Sequence, residues 1–382
     1  MTSGEAGDGW RFGEALAISD PGGELDDALL SLPNRGRDLR VLAGYASKRR
    51  ADKGDEWFDH WVERALSLSP KDFALLFELT WRCGATVGTA PLIARVLREN
   101  KVEPHLANLL SNGRWGEGLP REVLEDALRA LVDGKHLEAA AAILEHRMAA
   151  MPTEADAWES LALELVTDGT LIRSAHMANY YWKELANRIV GRHASAIAAA
   201  ILREQADRTA DTWFAEHSEA KLVLHKCVEI DPAGVWRALA PHLSSPREGY
   251  SFSVGFPQGL LDQMPSEDVG AWIAEKPTER ASVIARLVSK NMSTDETLSA
   301  RILGAFGDDE DVASSFFAAY VTGNWTGPAS DHWRRLASHV DAVAERTALP
   351  RLRNWARDAA DRLRRMAERD AEREAEEDLR RG

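Results

Sequence analysis

Cysteine is nearly absent: Cys83 and Cys227 are the only two in 382 residues. That scarcity excludes a disulfide framework and any zinc site built from several thiolates. Strand-like alternation is scarce as well, confined to Tyr250–Val254. No apolar run approaches the roughly 20 residues that a membrane-spanning helix needs. The first 20 residues carry Glu5, Asp8, Arg11 and Glu14, so they supply no signal-peptide core. Cationic excess is missing too. Sixty-one acidic residues against 47 basic ones leave a net charge of −14, which argues against nucleic acid or an anionic membrane surface as the main ligand. The expectation is a soluble protein of a reducing, cytoplasmic compartment.

What is present is helical periodicity. Leu124, Leu128, Leu131, Leu137, Ala140 and Leu144 recur at helical spacing, with a break at Asp133–Gly134. Ile172, Ala175, Ala178, Trp182, Leu185 and Ile189 repeat the pattern. Prolines at 70, 91, 104, 120, 152, 232, 241, 265, 277 and 328 punctuate it. Because proline opens helices in their first turn, the segments between them predict many short helices of about 10–18 residues. Short helices joined by short turns suggest stacked hairpins more than one bundle. The fold class expected is therefore all-α, an irregular α-solenoid of antiparallel helix hairpins. The Gly/Pro-rich stretch 246–265 reads as a loop or junction. It divides a hairpin array over 23–245 from a C-terminal helical domain over 266–366. Residues 1–22 read as a flexible segment and 367–382 as a charged tail.

Two stretches resemble known helical families. Pro152, Trp158, Leu161, Ala162, Leu165 and Gly169 are similar to the first helix of a tetratricopeptide repeat, with Ala65–Pro70, Leu16…Pro21 and Cys227…Pro232 as weaker echoes. The C-terminal run Gly307-Asp-Asp-Glu-Asp-Val312, Trp325-Thr-Gly-Pro328 and Arg353-Asn-Trp-Ala356, followed by a Glu/Arg-rich tail, resembles the HEAT-like helical domains attached to large bacterial proteins, many of them in antiphage defence. That resemblance covers about the last fifth of the chain. It implies a scaffold or sensor module and brings no catalytic residues with it.

The residues themselves offer no catalytic signature. No phosphate-binding loop or dinucleotide fingerprint follows a strand. No two of the eleven histidines stand three or four apart, and His332 and His339 are separated by about 10.5 Å of helical rise, too far for one ion. The acidic run 307–311 fails the calcium-loop spacing and reads as a helix start. Gly249–Gly255 lacks the Gly-x-Ser-x-Gly spacing of a serine elbow. Cys83 and Cys227 read as small buried hydrophobes. No cofactor, metal or catalytic group is expected, and no enzyme. One stripe stands out: His176, Tyr180, Lys183 and Asn187 at i, i+4, i+7 and i+11. It either packs against a neighbouring helix or lines a groove that holds a peptide. The function expected is a protein–protein interaction module, a regulatory or sensor component of antiphage defence. The alternative is a protease substrate or inhibitor that sequesters a partner and releases it on cleavage, with 246–265 as the cut site.

Overall fold

The structure, a computed structural model, describes residues 8–31, 39–68, 73–99, 102–111, 115–174, 176–206, 218–244, 256–257, 259–323 and 325–381. These contain twenty α-helices and no strand. Most of the expected junction at 246–265, and with it the expected cut site, lies outside the described residues. The chain divides into two compact units, 1–188 and 189–382.

The first unit contains α1 (Asp8–Ser19), α2 (Asp26–Leu30), α3 (Leu39–Lys53), α4 (Asp55–Leu68), α5 (Phe73–Cys83) and α6 (Thr89–Glu99). Then come α7 (Pro104–Leu109), α8 (Arg121–Asp133), α9 (Leu137–Ala150), α10 (Ala155–Val166), α11 (Gly169–Ile172) and the first half of α12 (His176–Ala206). Up to α9, each helix packs on the helix two further along. The odd-numbered helices form one row, α1 on α3 on α5 on α7 on α9, and α2, α4, α6 and α8 form a second. Sequence dictates the starts. Pro104 stands in the first turn of α7 and Pro120 immediately before α8. Thr86 and Thr89 exchange backbone N–H to side-chain bonds of 2.8 and 2.9 Å at the start of α6, a reciprocal cap.

Two helices of the odd row meet backbone to backbone. A Cβ on Gly13 of α1 would stand 2.1 Å from the Val41 carbonyl oxygen, and one on Gly44 of α3 would stand 2.1 Å from that of Trp10. Beneath this contact lies a polar knot. The Tyr45 hydroxyl, fully buried, reaches Asp20 at 2.8 Å and Asp26 at 2.6 Å. Asp20 also accepts from the N–H groups of Gly23, Glu24 and Leu25, while the buried Arg49 donates to the carbonyls of Asp20 and Pro21. Burial alone pushes the Asp20 carboxyl up; the donors around it outweigh that and hold it below its ordinary value.

The second unit starts within α12, whose only non-helical residue is His193 (φ −124°, ψ 21°). No proline occurs between 152 and 232, yet the helical path still breaks: α12 is two runs, 176–192 and 194–206, that meet at a kink at His193, each within the length expected from the proline spacing elsewhere. After it come α13 (Ser218–Ile230), α14 (Pro232–Leu239), α15 (Ser266–Glu275), α16 (Pro277–Ala285), α17 (Leu298–Phe306), α18 (Glu310–Val321), α19 (Ala329–Arg346) and α20 (Pro350–Arg381). The acidic run at 307–311 opens α18: the Asp309 carboxylate accepts from the N–H groups of Asp311 and Val312. The charged C-terminal stretch is a continuation of α20. Ala367 is buried against the hairpin, Asp370 accepts from the Trp333 indole at 2.8 Å, and Glu374 accepts from the Ser330 hydroxyl at 2.6 Å.

Two predictions test the packing. Gly44→Ala should lower stability by at least the roughly 1–3 kcal/mol that overpacking costs. Gly191→Ala, where an added Cβ meets nothing within 4 Å, should raise it by about 0.5–1 kcal/mol; urea denaturation reads both. Tyr45→Phe should cost about 1–3 kcal/mol, the scale of stranding a buried hydrogen-bond partner. Because the Asp20 pKa is depressed in the folded state, its contribution is complete above the ordinary carboxylate value of about 3.9 and is lost as pH falls through the lower folded value. The acid limb of the stability profile should therefore be shallower in Tyr45→Phe than in the parent.

Candidate functional site

The stripe read from the sequence lies on the first half of α12. Trp182 fixes that half in place: its ring is fully buried and its indole N–H donates to the Val166 carbonyl at the end of α10, at 2.8 Å. Leu185 and Ala186, also fully buried, continue the inward face. Tyr180 faces outward, 45% exposed, with Met177 52% exposed beside it. The Lys183 ammonium lies 5.4 Å from the Tyr180 ring centroid, a cation–π contact, and 3.6 Å from the Glu184 carboxylate. Asn187 is half-buried further along the same face. His176 opens the helix, and its side chain lies outside the described residues. Of the four stripe residues, then, Tyr180 and Lys183 touch.

The stripe adjoins a cleft. Tyr180 packs edge-on against Tyr181 at 5.5 Å, and Tyr181 packs edge-on against His146 of α9 at 5.8 Å. His146 lines a cleft of about 760 Å³ walled by Leu110, Leu124, Ile143 and Met151, with Glu117 and Arg147 as its other polar residues. Arg147 is 8% exposed. Its Nη2 donates to Glu154 at 2.9 Å and its Nη1 to the Glu117 carbonyl at 3.3 Å, while Nε is buried without an acceptor. One residue back, Glu145 accepts from Arg188 of α12 at 2.7 Å, which ties α9 to the stripe. Burial raises the Tyr181 phenol above its ordinary value, and the negative charges of Glu145 and Glu138 add to that. A cleft of this size with apolar walls and a few polar groups is the usual form of a binding site.

The sequence reading missed His146 and Arg147. A signal was there: in Leu137–Ala150, Glu145, His146 and Arg147 interrupt an otherwise Ala-rich apolar helix, and charged residues on a buried helix are paired or functional. A second, more open groove of about 690 Å³ carries Trp10, Trp81 and Trp115. Its arginines are already engaged, Arg50 with the Cys83 and Gly84 carbonyls and Arg82 with Glu78 and the Trp81 ring.

Neither cysteine is an activated thiol. Burial pushes both thiols, Cys83 and Cys227, up to about 12, so neither is a thiolate near neutral pH. Among the described residues, no three His, Cys, Asp or Glu side chains converge on a point that could hold a metal ion. No described helix is long and apolar enough to cross a membrane.

Trp182→Phe should strand the Val166 carbonyl and open a small void, costing about 1–3 kcal/mol. Hydrogen exchange should speed up at the amides of 177–187 before it does in α8, because the stripe hangs on that anchor. No protein-family model, no curated protein and no solved structure matches the chain.

Proposed function

We propose that the chain is a non-enzymatic protein-interaction module that docks a protein or peptide partner on the α12 stripe and the adjoining α9 cleft. One observation carries this reading: Tyr180 and Met177 stand exposed beside an apolar-walled cleft, joined to it through Tyr181 and His146. Aromatic side chains with an aliphatic neighbour and a flanking cation make the kind of surface that anchors a partner. The two-row packing of α1–α9 is what a stacked-hairpin array of the tetratricopeptide or HEAT type requires, and such arrays bind partners along one row of helices. A regulatory or sensory role in bacterial defence rests on the C-terminal resemblance alone.

The test is a photocrosslink in the native cell, with benzoylphenylalanine at position 180 and, as control, at Leu222, an exposed residue of the second unit. A discrete crosslinked species is expected from position 180 only, and Met177→Asp should abolish it. Equal crosslinking from both positions, or none from 180, overturns the docking surface.

A further inference from the structure

The charge of α20 is divided along its length. From Pro350 to Arg369 the helix carries seven arginines against three carboxylates, a balance of +4; from Asp370 to Arg381 it carries six carboxylates against three arginines, a balance of −3. Its inner face is committed: Leu363 and Ala367 are buried, and Asp370 and Glu374 bond to α19. Residues 362, 365, 369, 372, 376 and 379 follow one another at intervals of three and four, so they share the opposite face. That stripe reads Arg, Arg, Arg, Glu, Glu, Leu, and all six residues are exposed. Among the described residues no carboxylate pairs with Arg365 or Arg369, and Glu376 meets Arg380 at 3.7 Å with both side chains in solvent. Between the arginines and α18 lies an open groove of about 510 Å³ lined by Phe317 and Met366, with the Arg362 guanidinium 5.5 Å from the Phe317 ring centroid. Leu379 is 83% exposed, more than any other large apolar side chain among the described residues.

A stripe that is basic at one end and acidic at the other complements itself when reversed. We propose that the outer face of α20 pairs antiparallel with the same face of a second copy of this chain, about a two-fold axis that passes between residues 370 and 371. Turning the helix end for end about that point sets Arg365 against the partner's Glu376 and Arg369 against the partner's Glu372. Leu379 then meets the partner's Arg362, at the mouth of the groove that Phe317 and Met366 line. Symmetry makes each contact twice, so four arginine–glutamate pairs and two seated leucines hold the two copies together. Parallel pairing would instead oppose arginine to arginine and glutamate to glutamate, which like-charge repulsion forbids. Intervals of three and four are also the spacing at which two long helices keep one seam in contact. Because this seam is mostly charge, the association is weak and falls with salt. The face lies wholly within the second unit, and its pairing is independent of what binds the α12 stripe.

The experiment is sedimentation velocity of the full chain. At about 100 µM protein and about 20 mM ionic strength it should show a monomer–dimer equilibrium, weakened about tenfold or more in about 0.5 M salt. Two charge-reversed variants decide the arrangement. Arg365→Glu with Arg369→Glu makes the charged part of the seam wholly acidic, and Glu372→Arg with Glu376→Arg makes it wholly basic. Each variant alone should be monomeric with the parent's circular dichroism spectrum, since all four positions are exposed. An equimolar mixture of the two should restore the dimer, because every acidic position then meets a basic one; a merely misfolded pair could not do this. A parent chain that stays monomeric in low salt overturns the proposal and leaves the arginine face to an acidic partner of another kind. A dimer that either variant retains alone overturns it as well, as do folded variants whose mixture stays monomeric.

Discussion

An amphipathic helix of three turns has one apolar stripe, and in the first unit most of the architecture follows from the need to cover it. None of α4 to α9 is longer than 14 residues, too short to be stable alone in water. Each is covered by the helix two places along the chain, so a residue such as Leu124 on α8 is buried only because α6 and α9 are in place. The closest of these contacts, α1 on α3, depends on two residues having no side chain. Glycine at 13 and 44 lets the backbones touch, and the Tyr45 knot below them ties the α1–α2 turn to the same seam.

The same constraint shapes the candidate site. Stacking covers the stripe of each interior helix, but the C-terminal end of α9 leaves its neighbours a gap, and the apolar walls of the cleft face into it. The charges there are held by each other: Arg147 by Glu154 and Glu145 by Arg188. Pairing keeps two buried charges tolerable without filling the cavity beside them. Rigidity comes from Trp182, whose indole bond joins α12 to α10 and leaves Tyr180 on the outer face.

Helical character was legible because it repeats. Leu124, Leu128 and Leu131 are all fully buried, as their spacing required, and the prolines at 104, 232 and 277 stand in first turns. Helix breaks were less legible. A rule built on proline sees where helices must stop, and it is silent over 153–231, where α12 kinks at His193 with no proline to mark the place. The stripe itself was visible as Tyr180 and Lys183, since residues four and three apart share a face. The cleft was not, because it forms from the loop before α8, from α8 and from the end of α9, and only tertiary packing brings Leu110, Leu124 and Ile143 together.

The end of α20 shows what mean hydropathy hides. By composition, residues beyond 366 look dispensable, a run of arginine and glutamate with no core to join. Yet Asp370 and Glu374 act as the receiving half of a clasp whose other half, Trp333 and Ser330, starts α19. A shorter chain cut at that compositional border would leave an indole N–H and a hydroxyl facing empty space. Fraying would then begin at the open end of the terminal hairpin, where the start of α19 loses its partner. Charge-rich sequence of this kind is a fastener, and its loss would be felt by the aromatic residue that it secures.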